Sequence, residues 1–290
     1  RIALVPGDGI GPEIVPVALD VLNVACEAGD VSLECGSFPW GAGYYRKHGR
    51  FMDDGALEAM KAFDAILFGA VGLPDVDDRL PARDFTFRVR CGLGQYVNYR
   101  PVRSFPGVTS PLTKQPKLDF VVIRENTEGE FVQVGSVRDG DQPEGFAVDT
   151  SIFTRKGITR VARYAFQLAR RRRGKVTTVT KSNTLIHSLA YWDRVIGETA
   201  SEFPDVEHGY MYVDNASANF VLRPEQFDVV LTTNMIGDIL SDLGGALMGS
   251  LGLGGAGNLN PERTCPSMFE PIHGSAPDIA GQQIANPVGT

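Results

Sequence analysis

Cysteine, tryptophan and histidine are sparse in this 290-residue chain, at four, two and four copies. The cysteines, Cys26, Cys35, Cys91 and Cys265, include no C-x-x-C pair. That spacing fits neither a zinc site nor a disulfide framework, so reduced thiols in a cytoplasmic protein are expected. No apolar run approaches the ~18 residues of a membrane-spanning helix. No signal peptide precedes the first apolar run, and no membrane partner is expected. Basic residues are also in deficit, 28 against 35 acidic, for a formal net charge of -7. This argues against the broad basic footprint of a nucleic-acid binder but leaves room for a local arginine cluster. Core material is plentiful: 43% of residues are hydrophobic and 22% charged. The length suits about two domains. Arg1 stands directly against an apolar run, and Thr290 ends a loop carrying Pro287 and Gly289, so further residues are expected at both ends.

Short apolar runs alternate with helical periodicity, which predicts an α/β fold with a largely parallel sheet. Strands are expected at residues 2–5, 31–35, 65–69, 97–99, 120–123, 175–180, 208–213 and 228–232. Helices are expected at 12–28, 54–62, 154–172, 185–203, 215–222 and 236–249. Residues 133–146 are polar and glycine-rich, and read as an exposed arm or loop. Residues 252–260 read as a glycine loop. The run Arg170-Arg171-Arg172-Arg173 falls at a helix C-terminus, where cations complement the macrodipole.

Two glycine clusters imitate a dinucleotide fingerprint. Gly7-Asp8-Gly9-Ile10-Gly11 is G-x-G-x-G, not G-x-G-x-x-G. The cluster from Gly252 to Gly257 has the right spacing but follows a helix, so the strand–turn–helix phosphate site cannot form. Both read as tight turns, and a Rossmann fold is not expected. The segment from Glu270 to Gly281 differs, packing small residues, His273 and Asp278 into one loop. Small residues admit a flat ring, and a carboxylate accepts ribose hydroxyls while repelling a 2′-phosphate. A turn with an N-cap aspartate explains the same residues equally well.

Asp238 and Asp242 stand at i and i+4 on an expected helix, where like charges repel unless a cation intervenes. Oxygen-only ligands suit Mg²⁺ or Mn²⁺, and Asp214, at a strand end, is a candidate third ligand. A solvated acidic face is the plainer alternative. Arg90, Arg100 and Arg124 lie near strand ends, and three guanidinium forks would hold a dicarboxylate. Ordinary surface arginines are the alternative. Lys181 follows the strand at 175–180. Near a metal and arginines its ammonium form is disfavoured, which suits a general base; alone it reads as solvated.

The segments PGDGIGPEI, FGAVG, QYVNYRPV, RENTEGE, TKSN, GDILSDL and EPIHGSAPDIAG resemble the metal-dependent decarboxylating 2-hydroxy-acid dehydrogenases, the isocitrate/isopropylmalate dehydrogenase family. The resemblance runs over nearly the whole chain. It implies a two-domain, non-Rossmann α/β fold with largely parallel sheets, and a homodimer with shared active sites. Residues 1–98 with 247–290 would form the cofactor domain, and 99–246 the substrate and dimerisation domain. Arg90, Arg100 and Arg124 match the substrate-carboxylate arginines. Asp214, Asp238 and Asp242 match the metal ligands. Lys181 matches the catalytic lysine, which with the Asp214 region reaches in from the partner. Asn183, His273, Gly274, Ser275, Ala276, Asp278 and Asn286 match cofactor-binding positions. Asp278-Ile279 resembles the NAD-preferring version. The implied cofactors are NAD, Mg²⁺ or Mn²⁺, and a monovalent cation such as K⁺.

Residues 38–45 and 94–100 look most like the tartrate and D-malate branch, so tartrate or D-malate is the expected substrate, with 3-isopropylmalate as the alternative. Residues 75–88, expected to select the third substituent, lack an aliphatic cluster, and Arg83 or Arg88 is placed to add a polar contact. Phe131 is the departure, because the family usually places a tyrosine there to assist protonation after carbon dioxide leaves. Three readings stand: oxidation without efficient decarboxylation, a replaced tyrosine, or a noncatalytic regulatory subunit.

Overall fold

The apolar stretch Ile2–Gly7 forms β1, and parallel pairing joins it to β3 (Ala65–Ala70) on one side and β2 (Cys35–Ser37) on the other. The computed structural model describes residues 1–290. Between these strands lie α1 (Gly11–Ala28), α2 (Ala42–His48) and α3 (Ala56–Lys61). The chain then runs through α4 (Arg79–Pro81), a π-helical turn (Ala82–Phe87) and α5 (Arg88–Gly92) into β4 (Val97–Arg103) and β5 (Asp119–Glu125). A two-stranded antiparallel ribbon follows, β6 (Gly129–Arg138) with β7 (Phe146–Ile152). Next come α6 (Arg155–Arg170), β8 (Lys175–Thr180), α7 (Ser188–Ala200), β9 (Glu207–Tyr212) and α8 (Val213–Leu222). The last elements are β10 (Val229–Thr232), α9 (Asn234–Leu247), β11 (Gly255–Leu259) and β12 (Ser267–Pro271).

Ten strands form one sheet in the order β2-β1-β3-β12-β11-β4-β5-β10-β8-β9. Its two wings are parallel. Only the central pairs β12–β11, β11–β4 and β4–β5 are antiparallel. The chain folds around separate cores. The largest cluster, centred on Trp192, Phe120 and Phe166, draws only on residues 96–248. A second, with Phe85, Met60 and Phe68, draws on residues 3–93 and Met268. A small third one gathers Leu4, Ile10, Ile14, Val15 and Leu67.

Several expectations are corrected. The strand expected at 31–35 lies at Cys35–Ser37, because β2 is an edge strand that pairs with β1 over three residues only. The glycine loop expected at 252–260 is largely strand β11. A Cβ on Gly255 would sit 2.9 Å from the Gly289 carbonyl oxygen, so this glycine permits close backbone approach of the turn at Pro287–Gly289 to the strand. The exposed arm or loop expected at 133–146 is part of the ribbon β6–β7, exposed almost throughout beyond Gln133, with Val134, Val137 and Phe146 among its exposed residues. The helix α2 and the helical segment 79–92 carried no clear periodicity. The arginine run does more than face a dipole. Arg170 pairs with Asp205, and Arg172 with Asp119 and Asp228, while Arg173 reaches the Phe227 carbonyl. The four cysteines are free, and no helix is long and apolar enough to cross a membrane.

Candidate active site

Cross-strand register explains the centre of the site. Asn98 on β4 lies opposite Arg124 on β5 and opposite Asn258 on β11. Strand residues two apart share a face, so Arg100 joins Asn98. On β12, Met268 faces Asn258, and Glu270 lies two residues further along the same face. The antiparallel centre of the sheet therefore presents a polar face between the two cores.

Helix α9 covers this face and packs closely because of its glycines. A Cβ at Gly237 would stand 2.7 Å from the Arg124 Cβ, and one at Gly244 would stand 2.5 Å from Val102 Cγ2. The approach brings Asp238 and Asp242 onto the arginines. Arg124, 1% exposed, donates through Nε to Asn234 Oδ1 at 2.8 Å and through Nη1 to Asp238. Arg100 Nη1 donates to Ser241 Oγ at 2.7 Å and to Asp242 Oδ1 at 3.3 Å, and lies 3.4 Å from Asp238 Oδ1. Arg90, on α5, donates to Glu270 Oε1 at 2.8 Å. The Nε atoms of Arg90 and Arg100 are buried with no partner in the chain.

Burial dominates the electrostatics. It pushes the Arg124 guanidinium down to about 9 against the pull of Asp238, with Arg100 and Arg90 adding to the drop, and leaves it charged at neutral pH. Burial also works to raise Asp238, but Arg124, Arg100 and Arg90 outweigh it and hold the carboxyl below its ordinary value. Asp242 is raised, first by burial and also by Asp238, against Arg100. Each buried guanidinium is costly without a counter-charge, and the two aspartates supply it.

Lys181 and Asp214 form a second group. Lys181 Nζ donates to Asp214 Oδ1 at 2.5 Å, and this hydrogen bond lowers the Asp214 carboxyl. Asn183 belongs to the same exposed turn. One chain assembles no set of three His, Cys, Asp or Glu side chains able to hold a metal ion. The expected triad is thus divided: Asp238 and Asp242 stand with the arginines, while Asp214 stands with Lys181. Their hard oxygen donors suit Mg²⁺ or Mn²⁺ as a half-site that needs a further ligand.

The loop after β12 packs on the first glycine turn, where Ile10 N donates to the Ser275 carbonyl at 2.9 Å. Glu13 accepts from Gly281 N at 2.5 Å and Gln283 N at 3.1 Å, which fixes the loop's far side. His273 Nε2 is buried without a partner, and a Cβ at Gly274 would meet nothing within 4 Å. Ala276 has a φ of 41°, Asp278 is exposed, and Asn286 Oδ1 accepts from Val288 N at 3.1 Å.

Phe131, on β6, lies beside the arginines, its ring centroid 5.4 Å from the Arg124 guanidinium carbon. Arg83 pairs with Asp84 at 2.7 Å, and Arg88 is exposed. Sequence reasoning missed Asn234, Ser241, Glu270 and Asn258. Only Glu270 gave a signal, as a lone carboxylate opening the small-residue loop.

A model of the isocitrate/isopropylmalate dehydrogenase family matches residues 1–290. A probable tartrate dehydrogenase/decarboxylase of Agrobacterium vitis is 47% identical over 294 residues, covering 100% of this chain and 82% of its own length. The decarboxylating D-malate dehydrogenase of Escherichia coli K12 is 48% identical over 296 residues, covering 100% and 82%. Among solved structures, isocitrate dehydrogenase from Methylococcus capsulatus superposes with a TM-score of 0.89 at 37% identity, over 99% of this chain and 81% of that one.

Proposed function

The chain belongs to the isocitrate/isopropylmalate dehydrogenase family, and from that premise we propose that it oxidises a small 2-hydroxy dicarboxylic acid, tartrate or D-malate, with NAD⁺ and Mg²⁺ or Mn²⁺. The observation that carries this reading is the arginine cluster. Arg124 and Arg100 meet Asp238 and Asp242 through Nη1 alone, and the other donors of the cluster support dicarboxylate binding. Similarity to tartrate and D-malate dehydrogenases favours those acids.

Arg90, Arg100 and Arg124 bind and orient the acid through bidentate donors. Asp238 and Asp242, with Asp214 from a second copy of the chain, would hold the metal. The bound groups supply Lewis acidity at the 2-hydroxyl and a hydride acceptor. Lys181, from that second copy, would take the hydroxyl proton, and the loop 273–286 would seat the adenosine half of NAD⁺. Phe131 fills its place beside Arg124 with no proton to give, so the reaction halts at oxidation or decarboxylates inefficiently.

The reading also includes a homodimer, in which Lys181 and Asp214 complete the partner's site, and a division into 1–98 with 247–290 and 99–246. Separate cores support the division. Exposed Tyr210, Tyr212, Val221, Leu222, Met235 and Ile239 support an interface on the Asp214 side.

NADH formation with Mn²⁺ tests this, comparing D-malate, tartrate and 3-isopropylmalate and assaying carbon dioxide in parallel. NADH is expected with the first two, less carbon dioxide than NADH, and loss of both after EDTA. No NADH from a folded dimer with any acid would sink the enzyme reading and favour a regulatory subunit. Stoichiometric carbon dioxide would overturn the role given to Phe131.

A further inference from the structure

Four polar side chains are joined behind Arg90 by hydrogen bonds that the mechanism above does not use. Asn98, Asn126 and Asn258 are each 0% exposed, and Glu270 is 6% exposed. Asn98 Nδ2 and Asn126 Nδ2 both donate to Asn258 Oδ1, each at 2.9 Å. Asn258 Nδ2 donates to Glu270 Oε1 at 2.7 Å, and the same oxygen accepts from Arg90 Nη2 at 2.8 Å. The elements involved span the centre of the sheet: β4, the turn after β5, β11, β12 and α5.

The pattern has one sense only. Turned over, the Asn258 amide would set its NH₂ against two other NH₂ groups and its oxygen against the Glu270 carboxylate. Two donors into one carbonyl polarise the amide and strengthen its bond to the carboxylate. An apolar residue at 258 would leave the buried Asn98 amide without its acceptor and Glu270 without one donor, so the amide is tied to both ends of the chain of bonds. Three buried asparagines are costly, the more so because Asn98 Oδ1 and Asn126 Oδ1 have no partner in the chain.

We infer that Asn258 is a positioning residue: it holds the Glu270 carboxylate so that Arg90 keeps its remaining donors turned to the substrate. Glu270 lies three residues before the loop 273–286, at the end of β12, so the same chain of bonds ties the cofactor loop to the carboxylate site. This inference rests on the proposed role of Arg90.

The test uses Asn258→Asp, which keeps the shape and still accepts from Asn98 and Asn126 but sets a carboxylate against Glu270. KM for D-malate with Mn²⁺ and NAD⁺ is expected to rise about tenfold, the scale of one charge-assisted hydrogen bond, with kcat held within about threefold. The paired variant N258D/E270Q restores the bond with donor and acceptor exchanged and moves the negative charge away from Arg90. It is expected to regain thermal stability while the weak D-malate binding persists. Recovery of KM together with stability would show a purely structural role and overturn the inference. So would an unchanged KM in N258D. If N258D does not fold, the paired variant alone decides. Calorimetric titration with malonate repeats the comparison without turnover. Wild-type protein that binds malonate but forms no NADH defeats the proposed function, and the variants' malonate affinities then decide this inference. Wild-type protein that binds no dicarboxylate overturns both.

Discussion

In the proposed reaction, the hydroxyl that Phe131 lacks would separate oxidation alone from oxidation with decarboxylation. The ring lies over Arg124, close to where the substrate carboxylates are proposed to bind. Phe131→Tyr adds a donor without changing the ring, and the ratio of carbon dioxide to NADH from D-malate is expected to rise. The gain is bounded at roughly 10²–10⁴-fold in the protonation step, the worth of one general acid. A ratio unmoved by the substitution would mean that another group protonates the enol. Gly237 poses the opposite test, since alanine there is favoured by about 1 kcal/mol of helix propensity. The added Cβ must push α9 off Arg124, at about 1–3 kcal/mol of overpacking. Urea denaturation is expected to show net loss of stability with weaker dicarboxylate binding; a stabilised variant with unchanged affinity would rule out close approach as the reason for this glycine. Residues of this scale were unevenly legible in the sequence. Arg124 and Asp238 announce themselves by charge after a strand and on a helix. Asn234, Ser241 and Asn258 do not, because an amide or hydroxyl acquires meaning only from the partner that folding sets beside it.

Elements were legible where one periodicity ruled. Helix α6 carries a clean apolar stripe, with Ile158, Val161, Ala162, Ala165 and Phe166 buried, and its expected span nearly matches the observed one. Strand β11 was not legible, because a glycine that admits the 287–289 turn against the strand looks like a loop residue in one dimension. The arginines after α6 show an intermediate case, read from the sequence as dipole partners and found clamping strand beginnings. Arg172 Nε donates at 2.9 Å to Asp228, whose side chain is 2% exposed. Arg172→Ala leaves that carboxylate with backbone donors and Arg173 alone, and is expected to cost about 1–3 kcal/mol in denaturant unfolding. Its pH dependence has a definite sign. The Arg172 hydrogen bond lowers the Asp119 carboxyl, so its contribution is full above the unfolded value and is lost as pH falls through the folded one. Asp119 is largely exposed, so this share is small. Wild-type stability should therefore drop slightly more than the variant's below about pH 4. An equal drop would remove the pair from any account of acid stability.

Across the whole molecule, the antiparallel centre of the sheet is the feature with the widest consequence. It lets two parallel wings with separate cores meet at a polar face, and it places three arginines and two aspartates there. It does not bring Lys181 and Asp214 to the same place, and no three-ligand metal set forms within one chain. Alternating strands and helices made the fold class legible, but this division depends on which strands become neighbours, which no local pattern encodes. In the proposed dimer, each site takes Lys181 and Asp214 from one copy and Asp238, Asp242 and the arginines from the other. Mixing variants tests this directly. Lys181→Ala and Asp238→Asn should each be inactive alone, because both sites of either homodimer carry the defect. Unfolded together and refolded, they should form heterodimers in which one site has both defects and the other has neither. Random pairing in a two-fold dimer puts half the molecules in that form, so activity should return to about a quarter of the wild-type value. If the site were built within one chain, every heterodimer would carry one Lys181 defect and one Asp238 defect in separate sites. The mixture would then stay inactive, and exchange of subunits, followed with a mass tag, would show that pairing had not failed.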